Sequence, residues 1–518
     1  MPSLSLGEAL RASAARNARH EAIVDGERRI SYAELDNRVD RLAHGLRTKG
    51  VAAGHVVAVL SQNAHELLEL YFACARLGAM LCPVNPRSSP EELAWTLEHA
   101  EASVVAVEAE LQGPLQSIEK DPPASVVVFR GDPAHAEWSR YEALIDAAPA
   151  APPALTDPSP DLPVLLLYTL KGQGKPLGAL VSHANVLADT LTAMTYAGIS
   201  ERDRLFQGMP LNHIAGLHIL TIAAFVRGAT VVLARQWRPD VVCQIIAREQ
   251  CTLTMMVPTA MRQLLESEAF KGADLRSLRT VIGAAGQYDR ALFAEATYRL
   301  RLDRMLFGYG LTEASPIVTI AASTGETLWK ENSLGWPVWY NRVRIVRSDG
   351  ADAQVDAVGE IWVKGPNVFL GYHKAPAATA AALTADGWLR TGDLARADAE
   401  GCLYFAGRLG ASIKTGGENV DALEVEKAIV SVATEVRAAA VVGRVDEKWG
   451  ERVVACCVLQ TDARLDAATL QERLRPHLAG FKLPREIHFL DALPVTESGA
   501  VDRVRLGEFL QATDTALG

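Results

Sequence analysis

A glycine-rich turn is the first stretch of the chain whose residues could do chemistry. Residues 164–187, VLLLYTLKGQGKPLGALVSHANVL, run from an apolar strand-like segment through Gly172 and Gly174 into a helical pattern. Such a turn brings bare backbone N–H groups and a helix N-terminus together, which is an arrangement that holds phosphate groups. Because Lys175 is followed by Pro176, the stretch does not match the G-x-x-x-x-G-K-[ST] loop, whose hydroxyl binds magnesium. The turn alone fits either a phosphate site or an ordinary glycine-rich connection.

The cysteines do not form a metal-binding or disulfide pattern. Their number is odd, they are scattered, and no C-x-x-C pair or histidine at metal-ligand spacing accompanies them. They are Cys74, Cys82, Cys243, Cys251, Cys402, Cys456 and Cys457. We expect reduced thiols in a reducing compartment, and therefore a cytoplasmic protein.

Composition and charge exclude several classes of protein. The 518 residues are 49% hydrophobic and 22% charged, which is typical of a large globular enzyme. A net charge of −10 gives no general basic surface for nucleic acid, so any phosphate must be bound locally. No segment has the length and apolarity of a signal peptide or a membrane span.

The elements that must position the turn alternate between apolar strands and helices. Helical patterns run from Ser31 to Arg47 and from Ala64 to Arg76, and strand-like runs include HVVAVL, ASVVAVE and ASVVVFR. This alternation predicts parallel strands in α/β units. Residues 148–163 are rich in proline and alanine and predict an exposed connection, after which the same alternation resumes. The pattern fits either one doubly wound region or two similar halves.

The pattern changes after about residue 335 to short strands with glycine turns, such as VRIVRSDG, GEIWVKG and GCLYFAGR. This indicates antiparallel β structure. We therefore predict an α/β protein with a large N-terminal domain, 1–406, of doubly wound α/β sheets plus a β-subdomain. A hinge at 407–412, containing Gly410 and Ala411, would lead to a small mobile α+β domain at 413–518.

Further motifs follow the glycine-rich turn in a characteristic order. They are PLNHIAGL (210–217), GAAG (283–286), YGLTE (309–313), GEIWVKGPNVFLGY (359–372), DGWLRTGDLA (386–395), YFAGR (404–408), IKTGGENV (413–420), VVGRVDEKWGER (441–452) and GFKLPREIHF (480–489). With these, the chain resembles the adenylate-forming superfamily of acyl- and aryl-CoA synthetases, firefly luciferase and peptide-synthetase adenylation domains. The resemblance extends from ISYAELD (30–36) and PVNPR (83–87) to LPVTESGAVDR (493–503).

The resemblance implies a two-step reaction. A carboxylate attacks the α-phosphate of ATP to give an acyl-adenylate and pyrophosphate, and a thiol, usually that of coenzyme A, then displaces AMP after the C-terminal domain rotates. Glu313 would supply a carboxylate ligand for Mg²⁺, and Thr312 a hydroxyl for the α-phosphate. Tyr309 would place its ring against adenine, and Asp393 would accept the ribose hydroxyls. The other implied nucleotide-binding residues are Thr169, Gly172, Gly174, Gly310 and Arg408.

The same resemblance implies an acyl pocket and a thiol tunnel. His213 would gate both, although a lone histidine is equally well explained as a core residue. The other implied acyl-pocket residues are Gly216, Ala284, Ala285, Gly308 and Leu311. Lys414, Gly416, Gly417 and Glu418 would contact coenzyme A, with glycines letting a thin chain pass close to the backbone. For Lys482, as for Lys414, a solvated surface charge is the simpler expectation.

The chain departs from the family where the first reaction step takes place. The usual loop Y-T-S-G-T-T-G-x-P-K-G reads YTLKGQGKPLG at 168–178, so most hydroxyls are lost and Leu177 stands at the lysine position. Near the C-terminus, Gly499 is followed by Ala500 instead of the catalytic lysine. Ala500 is either natural or an introduced substitution, whereas the several changes in the loop indicate a divergent sequence. The hinge, 407–411, also lacks its usual acidic residue.

Two functions fit these residues. The first is an AMP-forming acid–thiol ligase, an acyl- or aryl-CoA synthetase whose adenylation step is impaired or altered. The second is a noncatalytic relative that binds nucleotide or acyl-CoA for regulation or assembly. PLNHIAGL contains neither the acid expected for an amino-acid substrate nor the arginine expected for a dicarboxylate. The expected substrate is an apolar aryl or aliphatic acid, and the only expected macromolecular partner is a second copy of the chain in a homodimer.

Overall fold

The computed structural model describes residues 5–118, 125–149, 158–169, 176–284, 290–324, 330, 333–347, 349–409, 412–494, 501, 503, 505–507 and 509–510. The chain forms two compact units. The larger comprises Met1–Pro86, Leu93–Leu167 and Gly178–Gly407, and the smaller comprises Arg87–Glu92, Tyr168–Leu177 and Arg408–Gly518. Rotation about 407–412 stays a prediction, and Gly410 and Ala411 lie outside the described residues.

Local sequence signals account for where several helices begin. The side chain of Ser31 accepts a hydrogen bond from the backbone N–H of Glu34, and the predicted helix begins at the next residue. The helices are α1 (Leu6–Asn17), α2 (Tyr32–Thr48), α3 (His65–Leu77), α4 (Pro90–Ala100), α5 (Gln112–Gln116), α6 (Tyr141–Asp146), α7 (His183–Ala197), α8 (Thr221–Arg227), α9 (Pro239–Glu249), α10 (Pro258–Glu266), α11 (Glu268–Gly272), α12 (Arg290–Leu300), α13 (Pro376–Ala382), α14 (Ala422–Val432) and α15 (Ala467–Leu474).

Most strands of the parallel sheets coincide with apolar runs of the sequence. They are β1 (Glu21–Asp25), β2 (Arg28–Ser31), β3 (Val56–Leu60), β4 (Met80–Val84), β5 (Ala102–Glu108), β6 (Val126–Phe129), β7 (Ser139–Arg140), β8 (Pro163–Thr169), β9 (Leu177–Ser182), β10 (Arg204–Gln207), β11 (Thr230–Leu233), β12 (Leu253–Met256), β13 (Thr280–Ala284), β14 (Arg304–Gly310), β15 (Ile317–Thr324), β16 (Ser333–Pro337), β17 (Arg342–Val346), β18 (Gly359–Lys364), β19 (Gly371–Tyr372), β20 (Leu389–Ala397), β21 (Leu403–Arg408), β22 (Ser412–Thr415), β23 (Glu418–Asp421), β24 (Val436–Asp446), β25 (Gly450–Leu459) and β26 (Glu486–Phe489).

The described part of the larger unit contains two sheets. The strands therefore form two sheet-containing parts and not one doubly wound region. One sheet has the order β19-β9-β8-β4-β3-β5-β6-β7 and is parallel from β8 to β7. The other has the order β17-β18-β20-β21-β16-β15-β14-β13-β12-β10-β11-β1-β2. Their apolar faces share one core with α1, α2, α3, α7 and α8, in which Val59, Val231 and Phe72 are buried.

The antiparallel region begins earlier than predicted. The sequence pattern of short strands with glycine turns starts only at about residue 335. Strand β14 pairs with parallel β13 on one side and with antiparallel β15 on the other, so the change of direction occurs between 310 and 317. The predicted β-subdomain therefore continues one of the two main sheets. Its direction changes at YGLTE, one of the motifs that carry the family resemblance.

The smaller unit has an α+β core of its own. Strands β23, β22, β25 and β24 follow one another in one sheet, and β26 pairs with β25. Helices α14 and α15 pack on this sheet, with Val425, Val441, Val453 and Leu470 buried between them. The α/β fold with a large N-terminal and a small α+β C-terminal domain is confirmed.

Candidate functional site

The turn between β14 and β15 carries the first group of predicted site residues. Tyr309 and Gly310 end β14, and a 3₁₀ turn, Thr312–Ala314, follows. A side chain at Gly310 would collide with the carbonyl oxygen of Pro316, to which the backbone N–H of Leu311 donates at 3.0 Å. The tight turn therefore requires glycine at 310.

The carboxylate of Glu313 is buried and held by a tyrosine. Glu313 is 1% exposed, and the hydroxyl of Tyr372 donates to its Oε1 at 2.7 Å. Burial and the adjacent carboxylate raise the pKa of Tyr372 well above its usual value, so the phenol stays a donor. A buried carboxylate with a neighbouring hydroxyl, that of Thr312, offers the oxygen ligands that Mg²⁺ prefers.

The backbone of the same turn is fixed by the segment that leads to Tyr372. The side-chain amide of Asn367 donates to the carbonyls of Ala314 at 2.7 Å and Ile317 at 2.8 Å. The backbone N–H of Phe369 donates to the carbonyl of Glu313 at 3.0 Å. The turn is thus clamped through its main chain as well as through the carboxylate.

Helix α7 also contributes hydrogen bonds to the backbone around this turn. Asn185 donates through its side chain to the carbonyls of Pro366 at 2.8 Å and Val368 at 2.9 Å. One turn later, Asp189 accepts from the backbone N–H of Ile317 at 2.9 Å. Complete burial raises the pKa of Asp189 well above its usual value, which favours the neutral form of this acid.

Asp393 lies beside the same turn. It is 7% exposed, and the hydroxyl of Tyr309 donates to its Oδ2 at 2.8 Å. The preceding residue, Gly392, has φ +76° and donates its N–H to Glu360 Oε1 at 2.9 Å. The indole N–H of Trp362 donates to the other oxygen of Glu360 at 2.7 Å. The structure therefore joins Asp393 to Tyr309, which lies four residues before Glu313.

His213 follows β10 in a segment fixed by Asn63. The side chain of Asn63 donates to the carbonyl of Met209 at 3.0 Å and accepts from the N–H of Leu211 at 2.9 Å. His213 is half-buried, and a short π-helix, Ala215–Ile219, follows it. Widened helical turns of this kind are frequent at functional sites.

A second histidine in this segment fits the alternative of a core residue better than His213 does. His218 is fully buried and its Nε2 lies 2.8 Å from the hydroxyl of Tyr71. Burial lowers the pKa of His218 to about 3, which keeps it neutral.

The implied acyl-pocket glycines differ in their surroundings. A side chain at Gly216 would collide with the carbonyl oxygen of Pro210, so close packing explains this glycine. Among the described residues, an added Cβ at Gly308 would meet only the carbonyl oxygen of Thr319, at 3.9 Å. Local packing therefore does not require glycine at 308. Leu311 is half-buried in the adjoining turn.

In the smaller unit, the implied coenzyme A residues form a hairpin. Gly416 and Gly417, with φ +58° and +86°, make the two-residue turn between β22 and β23, and Thr415 pairs with Glu418 across it. Gly416 lies against the ring of Trp449, because a Cβ added at Gly416 would be 3.0 Å from Cε3 of that ring. Glu418 is 4% exposed, and Lys414 is half-buried.

The expectation of a solvated Lys482 is wrong. Its side chain is buried, with 4% of the residue exposed, and its ammonium donates to Glu424 at 2.8 Å and also to Glu92. Burial of an ammonium requires charged partners, and two carboxylates supply them here.

Several predicted positions fall beyond what is described. Thr169 is half-buried at the end of β8, and Leu177 begins β9, but Gly172 and Gly174 between them lie outside the described residues. The same holds for Ala285 and Ala500 and for the side chains of Ala284 and Arg408.

A separate cluster has the residue types of a metal site. Asp25, His65 and Glu66 place one potential ligand atom each within 4.8 Å of one another. The guanidinium of Arg130 donates to both carboxylates, with Nε of Arg130 2.9 Å from Glu66 Oε2. Because Arg130 already supplies the positive charge, the arrangement is that of a structural ion-pair network.

Sequence reasoning missed the residues that hold the site together. Tyr372, Asn367 and Glu360 all lie in GEIWVKGPNVFLGY, the motif at 359–372 that supports the resemblance without an assigned role. Its polar residues were the available signal. Asp189 lies in helix α7, outside every motif that carries the resemblance, and no sequence signal indicated its role.

Family models match most of the chain. An AMP-binding enzyme model matches residues 10–373, and an AMP-binding enzyme C-terminal domain model matches residues 424–500. No helix in the described part of the chain has the length and apolarity needed to cross a membrane.

Curated relatives cover nearly the full length. An indoleacetate–CoA ligase of Aromatoleum aromaticum is 37% identical over 92% of this chain and 92% of its own. A feruloyl-CoA synthase of Amycolatopsis is 35% identical over 93% of this chain and 94% of its own. A long-chain-fatty-acid–CoA ligase of Thermus thermophilus is 31% identical over 96% and 94%.

Solved structures share the fold. The amide bond synthetase McbA of Marinactinospora thermotolerans aligns with a TM-score of 0.87 at 26% identity, covering 98% of this chain and 99% of its own. ATP-bound MatB of Rhodopseudomonas palustris aligns with a TM-score of 0.72 at 28% identity over 98% and 99%. With its motifs, its fold and both family models in agreement, the chain belongs to the AMP-binding enzymes of the adenylate-forming superfamily and is similar to acyl- and aryl-CoA ligases.

Proposed function

We propose that the protein is an AMP-forming acyl- or aryl-CoA synthetase. The observation that carries this proposal is the hydrogen bond that Tyr309 donates to Asp393. Tyr309 lies four residues before Glu313 in the chain. The hydrogen bond therefore joins Asp393, the proposed ribose acceptor, to the segment that carries the Tyr309 ring and the proposed metal ligand Glu313. That set of groups suits a nucleotide with its phosphates directed toward a cation.

The residues of the turn divide the work of the first step. Asp393 accepts hydrogen bonds from the ribose hydroxyls, and Tyr309 lies against adenine. Thr312 donates to the α-phosphate. Glu313 would hold a magnesium ion, which would supply positive charge to the phosphates. The carboxylate oxygen of the substrate bonds to the α-phosphorus while the bond to the β-phosphate breaks, so that pyrophosphate leaves.

The second step belongs to the smaller unit. The coenzyme A sulfur, having lost its proton, attacks the acyl carbonyl carbon, and the bond from that carbon to the AMP oxygen breaks. Gly416 and Gly417 would line the passage of the thiol arm, since one faces the ring of Trp449 and the other has open space. The resemblance supports a gating role for His213 toward the acyl pocket and the thiol tunnel.

An apolar aryl acid is the favoured substrate class. Two relatives above 30% identity are named for indoleacetate and ferulate, both aromatic acids. The segment around His213 carries no acidic or basic residue that would bind a second charge on the substrate. Gly308, which local packing does not require, would leave space for a ring.

The first step should be slow relative to the second. Loss of one preorganised donor to developing charge typically costs about 10²–10³ in rate, and both Leu177 and Ala500 replace a lysine. These losses act on one transition state and do not simply add. Lys171 or Lys175 would be the first residues to examine for a replacement charge.

The alternative is a noncatalytic relative that binds nucleotide or acyl-CoA. The replacements at Leu177 and Ala500 favour it, because they remove charge from adenylation without touching Asp393 or Glu313.

A comparison of the two half-reactions tests the proposal. Pyrophosphate release is measured for a panel containing indoleacetate, ferulate, benzoate and decanoate, and thioester formation is measured from the matching synthetic acyl-AMP and coenzyme A. We expect thioester formation to be the faster step, and Ala500→Lys to accelerate only pyrophosphate release. Absence of both reactions with every acid would contradict a synthetase and favour the noncatalytic alternative.

A further inference from the structure

We propose that Tyr372 is a positioning residue that sets the orientation of the Glu313 carboxylate for a magnesium ion on ATP. The inference rests on the proposed function, in which Glu313 is the metal ligand. It assigns the orientation of that ligand to a residue 59 positions along the chain.

The contact is buried on both sides. Tyr372 is 7% exposed and Glu313 1% exposed, and the donor and acceptor oxygens are 2.7 Å apart. A hydrogen bond to a charged acceptor away from water is stronger than one at the surface, because water does not compete for either group. The phenol therefore determines which way the carboxylate faces.

The main chain of the turn is held by separate contacts, and the hydrogen bond from Tyr372 acts on the Glu313 side chain itself. The N–H of Phe369 and the side-chain amide of Asn367 hold the main-chain carbonyls of Glu313 and of the next residue, Ala314. Tyr372 is itself fixed, since its N–H donates to Thr379 Oγ1 at 2.8 Å and its backbone pairs with Ala179 in β9. One short segment thus orients both the backbone and the side chain of Glu313.

Orientation matters because magnesium demands nearly ideal octahedral geometry at short metal–oxygen distances. A carboxylate free to rotate would hold the ion less often in the correct position. Loss of the phenol should therefore weaken the binding of magnesium more than it weakens the contacts to the nucleotide base and ribose.

The chain offers a matched control. Tyr141 donates to Glu69 Oε2 at 2.7 Å, and both residues are buried in the core of the larger unit. Tyr141→Phe removes the same type of bond as Tyr372→Phe, but away from the proposed site. Thr379→Val, which loosens Tyr372 while leaving its hydroxyl, provides a second variant if Tyr372→Phe does not fold.

The experiment is calorimetric binding of ATP across a magnesium titration, without acid or coenzyme A, together with AMP binding in EDTA. We expect Tyr372→Phe to raise the half-saturating magnesium concentration about tenfold, equivalent to ~1.4 kcal/mol, with AMP affinity unchanged. Thr379→Val should shift it in the same direction by a smaller factor, and Tyr141→Phe should not shift it.

Glu313→Gln separates failure of this inference from failure of the proposed function. If Glu313→Gln loses the magnesium response while Tyr372→Phe behaves like Tyr141→Phe, positioning by Tyr372 is wrong and the metal ligand stands. Two results would contradict both assignments. In one, Glu313→Gln responds to magnesium as the unmodified protein does; in the other, the unmodified protein itself does not respond. Either would mean that Glu313 is not the metal ligand and that Tyr372 does not position one.

Discussion

The hydroxyl of Tyr309 donates to Asp393 Oδ2 at 2.8 Å, joining the end of β14 to the strand β20. The proposed ribose acceptor therefore has a protein donor before any nucleotide arrives. A bound ribose must share this carboxylate with Tyr309 or displace its hydroxyl. Glu360, through Gly392, fixes the backbone on which Asp393 is presented.

Asp393→Ala should weaken AMP binding. A hydrogen bond to a charged acceptor is typically worth about 1.5–3 kcal/mol, so the dissociation constant should rise by roughly 10- to 150-fold. Calorimetry with AMP measures this change, with Asp240→Ala, at a half-exposed position in the first turn of helix α9, as the control. Equal AMP affinity in all three proteins would remove Asp393 from the nucleotide site.

Gly310→Ala should disrupt the turn, because the added methyl group would collide with the carbonyl oxygen of Pro316. Overpacking of this kind typically costs about 1–3 kcal/mol. In Gly308→Ala, two residues earlier in the same strand, the added methyl group meets no described atom closer than 3.9 Å, and this variant should fold normally. Thermal melting compares the two variants, and equal melting temperatures would contradict the steric account.

If Gly308 lines the acyl pocket, Gly308→Ala should also change the ratio of rates for a bulky aryl acid and a short linear acid. Thioester formation from the two synthetic acyl-AMPs provides the measurement. An unchanged ratio would place the pocket elsewhere.

Lys482→Ala should destabilise the protein, because it leaves the buried carboxylate of Glu424 without its ammonium partner. Breaking a buried pair from one side typically costs about 3–5 kcal/mol. Hydrogen exchange of α14 in the full-length protein should accelerate accordingly, and Lys482→Ala combined with Glu424→Gln should recover part of the loss. No change in exchange would mean that Lys482 is solvated after all.

His218 should make stability depend on pH. Burial lowers its folded-state pKa to about 3, below the usual value of roughly 6.5, so between these values the unfolded chain binds the extra proton. The stabilising effect is present above pH ~6.5 and is lost as the pH falls, by up to about 1.4 kcal/mol per unit. His218→Gln should flatten the slope of unfolding free energy between pH 5 and 6.5, whereas His20→Gln, at an exposed position, should not.

Local signals were enough to predict the elements of the fold. Helix α2 could be predicted because Ser31 supplies a cap and an apolar face follows, and both features are local. The start of the antiparallel region was predicted too late, because β15 is buried from Ile317 to Ala321 and its sequence there resembles that of the parallel strands before it. Burial on both faces removes the alternation that marks antiparallel strands.

The candidate site was only partly predictable, since its chemical groups lie in recognisable motifs while their supports do not. The bonds of Tyr372 to Glu313 and of Asp189 to Ile317 join residues far apart in the chain. No local pattern encodes such pairs. The burial of Lys482 was missed for the same reason, because a lysine in a loop carries no sign of the carboxylates that surround it.

The hairpin of β14 and β15 also limits how this site can evolve. Tyr309 pairs with Thr319, and Ile317–Thr324 begins directly after the turn, so the turn length sets the pairing of both strands. One residue inserted or deleted between 310 and 317 would send every following side chain of β15 to the opposite face of the sheet. Both faces are buried there, so the shift would have no neutral outcome. Related sequences should therefore vary this turn by substitution at a constant length.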